Sequence, residues 1–263
     1  MRPAELLSEV RRRDGVLFLA GALHFALLVV MGAAALLDQR TVMGLNAWVK
    51  PMKFAASIGL YLWTVAWLLG ELRGAPRWGR AAVRWATAVA MTVEMALIGT
   101  QAARGTTSHY NIATAFDAAV FDWMGRMILV NTLAAVLLFL LFCRPLPHLP
   151  RAYAWGIRLG VLLFVVGSVE GLAMIDRHAH TVGLPDGGPG LPVLNWSTRG
   201  GDLRIAHLLG LHALQAFPIV GFLLGRRGGD GGLLPLAAFV SAYAAVVVWL
   251  YVEAIRGRPL VGL

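Results

Sequence analysis

The chain is short of charge, of cysteine and of lysine. Only 14% of its 263 residues are charged, whereas a soluble domain carries roughly 25%, so most of the chain has no aqueous surface to cover. The single cysteine, Cys143, excludes an intrachain disulfide and any metal site built from several cysteines. The sequence also lacks a phosphate-binding glycine loop, a dinucleotide fingerprint, a zinc-protease motif and a haem-attachment motif. These absences argue against nucleotide hydrolysis, dinucleotide chemistry, zincin chemistry and covalent haem.

Apolar sequence fills the space that charge leaves. Hydrophobic residues make up 58% of the chain, and they recur in runs of about 20, the length that crosses a bilayer as a helix. We predict an all-α polytopic membrane protein, a bundle of seven transmembrane helices. Because the spans and their loops use the whole length, residues 1–263 are expected to form a single transmembrane domain. The predicted spans are residues 15–37, 53–72, 82–103, 119–143, 153–175, 204–225 and 233–254.

The basic residues predict an orientation. The net charge is +9, and nearly all of the cations are arginines at the ends of the spans. Thirteen lysines and arginines fall on the N-terminal side of the membrane and nine on the other, and the richer side is expected to be cytoplasmic. The N-terminus is then inside and the C-terminus outside, in a bacterial plasma (inner) membrane. Cations used in this way serve the lipid bilayer, so nucleic acid is not an expected partner.

Ionisable residues within the spans concentrate near the outer face. At ~1.5 Å per residue, six of them from five spans lie at comparable depths, and His24 lies deeper. A charge in hydrocarbon costs several kcal/mol, so we expect the six to point into one cavity that opens to the outer, periplasmic face. The long outer loop, residues 176–203, contains apolar residues and Trp196 and is predicted to be a packed lid. The six residues are Glu94, Asp122, Glu170, His207, His212 and Glu253.

Imidazoles and carboxylates are suitable ligands for transition metals. The leading hypothesis is a metal- or haem-dependent membrane enzyme or redox protein, with Zn, Fe, Cu or haem b as the cofactor and a small or lipid-like substrate. A haem between His24 and His212 would be poorly matched in depth. The predicted metal ligands are His207, His212, Glu94, Glu170, His178 and His180. The predicted cofactor-binding residues are His207, His212, Arg204 and Gln215, and the predicted catalytic residues are Glu94, Glu170 and His109.

A second group of residues predicts anion binding. The only two lysines of the chain lie three residues apart in the segment WVKPMKF, and a lysine is a compact charge suited to a carboxylate or a phosphate. The predicted substrate or anion residues are Lys50, Lys53, Arg104 and Asn111. Ser108 and His109 resemble a nucleophile and its base in sequence. We do not expect serine catalysis from them, because neighbouring residues seldom face each other.

Two other functions stay open at this point, and so does the question of whether the protein is an enzyme. Intramembrane Glu and His chains are typical of proton relays, so the same residues fit a transporter or a proton-coupled channel. Against that interpretation, the polar residues of the predicted spans stop in the outer half, with only His24 beyond them. The other alternative is a membrane sensor that holds a ligand in the same cavity.

Overall fold

The computed structural model describes residues 2–226 and 228–262. In these ranges seven helical stretches are long and apolar enough to cross a membrane, which confirms the all-α, seven-helix, multi-pass prediction. The helices are α1 (Pro3–Arg13), α2 (Gly15–Leu37), α3 (Val49–Glu71), α4 (Arg77–Ala103), α5 (Ala115–Phe142), α6 (Arg151–Glu170), α7 (Leu172–Arg177), α8 (Leu203–Gly225) and α9 (Leu233–Ile255). Two short antiparallel pairs join β1 (Thr41–Val42) to β2 (Leu45–Asn46) and β3 (Thr181–Val182) to β4 (Gly201–Asp202).

The first predicted span coincides with α2, whereas the next three helices begin four or five residues earlier than predicted. Their first turns contain Lys, Arg or Asp, which resemble loop sequence. Pro51 lies in the first turn of α3, where a missing N–H costs nothing because that group has no helical partner. The predicted span 153–175 is interrupted, since α6 ends at Glu170 and α7 follows Gly171.

The chain divides after Leu137 into two compact units, which we call unit 1 and unit 2. In unit 1, α2 packs against α3, and both contact α4. The short helix α1 was not predicted, and it docks on α3 through Arg13, which donates to Glu71 (2.7 Å) and lies over the ring of Trp67. Asp14 then breaks the chain between α1 and α2 and caps α2 by accepting from Leu17 N.

Unit 2 is built around a close contact between α6 and α8, with α9 packed beside them. Glycines on both helices make this approach possible. A Cβ on Gly167 would lie 2.9 Å from the backbone of Gly210, and one on Gly156 would lie 2.5 Å from Phe217 O. Close backbone contact through small residues is a common way to pack membrane helices. It leaves little room for polar side chains along this contact.

The segment 176–203 is packed, as predicted. Asp202, which is buried, caps α8 by accepting from Arg204 N and also accepts from Ser197 N. Trp196 packs against a small core that includes Ile205 and Leu250. The segment therefore has its own hydrogen bonds and its own apolar contacts, which a flexible tether lacks.

Candidate functional site

The loop between α4 and α5 folds back into unit 1. Gly105 takes a positive φ of 71° and turns the chain, and Thr106 N then donates to Gln101 O. Ser108 and Asn111 are buried. The Asn111 side chain donates to Thr106 Oγ1 and to Thr107 O, so it holds the loop. Irregular backbone inside a membrane protein is tolerated where protein surrounds it. Ser108 and Asn111 meet that condition, whereas residues 112–114 are exposed.

The fold-back places His109 beside Glu94. Glu94 lies nine residues before the end of α4, ~14 Å along the helix, yet His109 Nε2 is 3.9 Å from its Oε1. The Glu94 side chain is 1% exposed, and neither of its oxygens has a hydrogen-bond partner among the residues that the structure describes. A buried carboxylate without hydrogen bonds is energetically expensive, so a structural role alone does not explain this residue.

The other imidazole nitrogen faces two donors. His109 Nδ1 is 3.2 Å from Lys50 Nζ, in the first turn of α3, and 3.0 Å from Ser108 Oγ. An ammonium group only donates, so Nδ1 accepts and the ring hydrogen lies on Nε2, facing Glu94. The three side chains lie in the order Lys50, His109, Glu94, and we call them the relay. The expectation that Ser108 and His109 would not face each other was wrong, because the turn brings the hydroxyl onto the ring.

Aromatic rings flank this relay. The ring of Phe54 lies 5.6 Å from that of His109, and the ring of Tyr110 lies 6.0 Å from it. Phe121 packs edge-on against Tyr110 at 5.3 Å. Tyr110 has a φ of 58°, a left-handed conformation that costs a residue with a side chain roughly 1 kcal/mol or more. The surrounding contacts thus hold an unfavourable backbone at the residue after His109.

Below the relay, polar residues continue along α4. Arg84, Thr87, Glu94 and Gln101 are spaced by three, seven and seven residues, which puts them within an arc of about 100°. Thr87 and Gln101 are buried, as Glu94 is. From Arg84 to Gln101 is ~26 Å, close to the roughly 30 Å hydrocarbon thickness of a bilayer. We call these four residues, together with His24, the α4 column.

His24 joins the column from α2. It is fully buried, its Nδ1 lies 2.7 Å from Ala20 O, and its Nε2 lies 3.4 Å from Met91 O. Met91 is one helical turn before Glu94, so His24 lies against the same face of α4. Sequence reasoning missed Arg84 and Thr87 as site residues: it counted Arg84 only among the basic residues of the N-terminal side, and it did not single out Thr87. Their spacing from Glu94 was the signal that would have found them.

Each end of the column is tied to a carboxylate. Gln101 Nε2 donates to Asp117 Oδ1 (2.8 Å), and Arg104 donates to the same oxygen. At the other end, Arg84 Nε donates to Asp14 Oδ2 (2.6 Å). The four predicted anion residues lie near one end of unit 1, and Lys50 is part of the relay. Arg104 and Asn111 hold the loop, and Lys53 lies one turn further along α3, half-buried.

Unit 2 contains a second Glu–His pair. His207 Nδ1 lies 3.3 Å from Glu170 Oε2 and 2.8 Å from Gly167 O. Because a backbone carbonyl only accepts, the hydrogen of His207 lies on Nδ1. Of the other predicted cofactor residues in this unit, His212 and Gln215 are half-buried on α8. Arg204 pairs with Asp202 (2.6 Å) and donates to the carbonyl of Asn195, so it fastens the 176–203 segment.

His178 and His180 do not form the strand-like clamp that their spacing suggested. His178 ends α7 in a left-handed conformation, with φ 50°, and is exposed. His180 Nδ1 instead lies 2.6 Å from Asp186 Oδ2, and Asp186 also accepts from the backbone N–H groups of His180 and Thr181. Burial raises the pKa of the Asp186 carboxyl, but the hydrogen bonds from His180 and Thr181 and the charge of His180 together lower it by more, so this pKa lies well below its ordinary value.

Two of the six carboxylates and histidines expected in one cavity have arginine partners instead. Asp122 is exposed and pairs with Arg126 at 2.9 Å, which confirms the intrahelical pair that their four-residue spacing predicts. Glu253 pairs with Arg256 (3.1 Å) and Arg258 (3.2 Å) at the end of α9. Of the other four, Glu94 lies beside His109 in unit 1, Glu170 lies beside His207 in unit 2, and His212 is half-buried on α8.

The geometry gives the predicted metal and haem sites no support. Across residues 2–226 and 228–262, no three His, Cys, Asp or Glu side chains come close enough together to hold a metal ion. His24 is a poor axial ligand for haem, because both of its ring nitrogens face backbone carbonyls.

Comparison with known proteins found no match: no family model, no curated protein and no solved structure is similar to this chain. The functional argument therefore depends on the contacts described above.

Proposed function

We propose that this chain is a proton-translocating membrane protein and that protons cross unit 1 along the α4 column. The observation that carries the proposal is Glu94, a carboxylate that is 1% exposed, has no hydrogen bond to either oxygen, and lies 3.9 Å from a histidine. Intramembrane Glu and His residues are expensive and are typical of proton relays. A carboxyl group without fixed partners can take and release a proton without breaking a structural hydrogen bond.

The column supplies groups on both sides of Glu94. The objection drawn from the sequence was that polar residues stop in one half of the membrane. In the structure, His24 and Thr87 lie on the far side of Glu94, and the Asp14–Arg84 pair ends the column. Steps of ~5–10 Å between these groups exceed a hydrogen bond, so transfer requires bridging water or side-chain rotation. A proton is the cargo that such a packed column can pass.

The arginine distribution supports an orientation for this path. The Lys50 end of the column is proposed to face the periplasm, and the Asp14 end the cytoplasm, of a bacterial inner membrane. The metal- or haem-dependent enzyme has no comparable support, since neither Glu–His pair is joined by a third ligand within the described part of the chain.

The test is proton flux in vesicles. Purified protein is reconstituted into liposomes that contain a pH-sensitive dye, and a potassium gradient with valinomycin imposes a membrane potential. The variant is Glu94→Gln, which keeps the shape of the side chain but cannot carry a proton. We expect it to lower the flux at least about tenfold, a loss typical of removing a proton-transfer group.

Glu170→Gln is the matched control, because it makes the same change at the Glu–His pair of unit 2. We expect this variant to keep the wild-type flux within about twofold, since a conservative change outside the path leaves the transfer steps intact. Equal flux through wild-type protein, Glu94→Gln and protein-free liposomes would refute the proposal. Loss of flux in Glu170→Gln but not in Glu94→Gln would move the path to unit 2.

A further inference from the structure

We propose that Lys50 binds an organic monoanion, a carboxylate with an apolar body, and that each anion binds together with one proton held at Glu94. The inference deepens the proposed function and rests on it, because Glu94 is the proton carrier in both. It names the ligand bound at the Lys50 end of the α4 column, the number of protons that bind with it, and the residue that recognises it.

The charges of the relay give the coupling. Lys50 carries one positive charge, Glu94 one negative charge when ionised, and His109 lies between them at 3.2 and 3.9 Å. An anion that binds Lys50 neutralises the positive charge that offsets the negative charge of Glu94. It also adds a second negative charge nearby. A buried uncompensated charge is costly, so the site regains neutrality when Glu94 takes up a proton. One monoanion and one proton then enter together.

Ser108 allows Lys50 to turn toward a ligand. Both Lys50 Nζ and Ser108 Oγ lie within 3.2 Å of His109 Nδ1, which has one lone pair. When the ammonium group moves to an anion, the serine hydroxyl donates to the same nitrogen. The imidazole therefore keeps a partner and keeps its hydrogen on Nε2, facing Glu94. Lys50 and Ser108 can therefore exchange as the donor to His109 Nδ1.

The aromatic rings select the kind of anion. The ring of Phe54 lies 6.0 Å from Lys50 Nζ, and Phe54 and Tyr110 both contact the ring of His109. An inorganic anion at Lys50 would not bury these rings, whereas a carboxylate with an apolar body covers them and gains roughly 25 cal/mol per Å² of buried apolar surface. Lys50 and His109 are both only partly buried, so a ligand can reach them.

Each element packed around the relay contributes titratable or charged groups. The loop contributes His109, and α3 contributes Lys50 and Lys53. Arg104 is paired with Asp117 of α5, and His24 of α2 lies against α4 one turn from Glu94. Lys50 lies 3.2 Å from His109 Nδ1, and His109 Nε2 lies 3.9 Å from Glu94, so these two groups are the ones that the proposed coupling involves.

Calorimetry measures both halves of the proposal. Benzoate is titrated into detergent-solubilised full-length protein in two buffers of different ionisation enthalpy, which gives the number of protons taken up per anion bound. We expect about one proton per benzoate for the wild type. Glu94→Gln should bind benzoate without proton uptake. Lys50→Met should weaken binding about tenfold or more, the effect of losing one charged hydrogen bond.

Three further ligands and one variant sharpen the result. Benzyl alcohol tests the need for charge, while acetate and inorganic phosphate test the need for an apolar body; each should bind at least about tenfold more weakly than benzoate. Arg126→Met removes an exposed cation elsewhere in unit 1 and should leave benzoate binding unchanged. A circular dichroism spectrum equal to wild type shows that each variant is folded.

Two results would overturn the inference: no benzoate binding by folded wild-type protein, or binding that takes up no proton. Equal affinity for phosphate would replace the organic ligand by a general anion site and overturn the selectivity. These results differ from failure of the proposed function. If the flux depends on Glu94 but benzoate does not bind, the proposed translocation stands and the anion site is refuted. If benzoate binds with proton uptake but no flux is measured, the anion site stands and the proposed translocation is refuted.

Discussion

The two units contain the same pair of residue types in opposite settings. In unit 1, Glu94 is 1% exposed and lies far inside α4, where polar side chains continue on both sides of it. In unit 2, Glu170 is 14% exposed and is the last residue of α6. One turn earlier, the backbone of α6 meets that of α8 at Gly167 and Gly210. Unit 1 thus buries a row of polar side chains along α4, whereas the α6–α8 contact of unit 2 is built on glycines.

This difference separates the proposed path from a helix contact. A proton path needs side chains that take and release protons and polar groups that can hold bridging water. In the α4 column, Glu94 and His24 are of the first kind, and Thr87 and Gln101 are of the second. The α6–α8 contact at Gly167 and Gly210 leaves little room for such groups. An identical residue pair can therefore belong to the proposed path in one unit and lie at a helix end in the other. The neighbours of a Glu–His pair, more than the pair itself, decide what it can do.

The largest expected effect is at the glycine contact of unit 2. In Gly167→Leu, the new side chain must occupy space where a Cβ alone would lie 2.9 Å from the backbone of Gly210. We expect a loss of about 3 kcal/mol or more of unfolding free energy, measured by thermal denaturation in detergent. Gly125→Ala on α5 is the control, because nothing lies within 4 Å of its added Cβ. Equal melting temperatures for the two variants would contradict the packing described for α6 and α8.

A smaller effect is expected at the Asp14 end of the α4 column. Asp14→Asn keeps a residue that caps α2 but removes the charge paired with Arg84 at 2.6 Å. Because the Asp14 side chain is buried, we expect a loss of about 2 kcal/mol in the same denaturation assay. The matched variant is Asp230→Asn, at an exposed pair with Arg151 in unit 2, where a change below about 1 kcal/mol is expected. An equal loss at both pairs would mean that burial does not decide the contribution of these ion pairs.

The smallest effect is local, in the 176–203 segment of unit 2. Asp186→Asn removes an acceptor of charge-assisted hydrogen bonds, so amide hydrogen exchange of residues 178–202 should accelerate about tenfold at neutral pH. The pKa of Asp186 is lowered in the folded state, so its stabilisation is fully present above its unfolded pKa of about 4 and is lost as the pH falls through the folded value.

The same exchange experiment is repeated at several pH values. Wild type and Asp186→Asn are compared at each pH, so the intrinsic pH dependence of amide exchange cancels. Protection of wild-type residues 178–202 should approach that of Asp186→Asn as the pH falls below about 4. Exchange that stays tenfold apart at the lowest pH at which the fold survives would show that Asp186 holds the segment by means other than its charge.

The spans were predictable from the sequence because hydrophobicity over about 20 residues is a strong and local signal. The start of α4 was predicted five residues late, since Arg77 and Arg80 resemble loop sequence although they begin a helix. Glu94, His109 and Lys50 were each singled out from the sequence. Their contact was not, because it depends on a loop that turns back at Gly105, and a depth count along a helix contains no information about such a turn.

The burial of the loop that carries His109 constrains the order in which the protein is made. Membrane helices insert first and associate afterwards, and an irregular loop with buried polar groups such as Ser108 and Asn111 is not tolerated by lipid alone. Residues 104–114 therefore enter unit 1 only after α3 and α4 stand side by side.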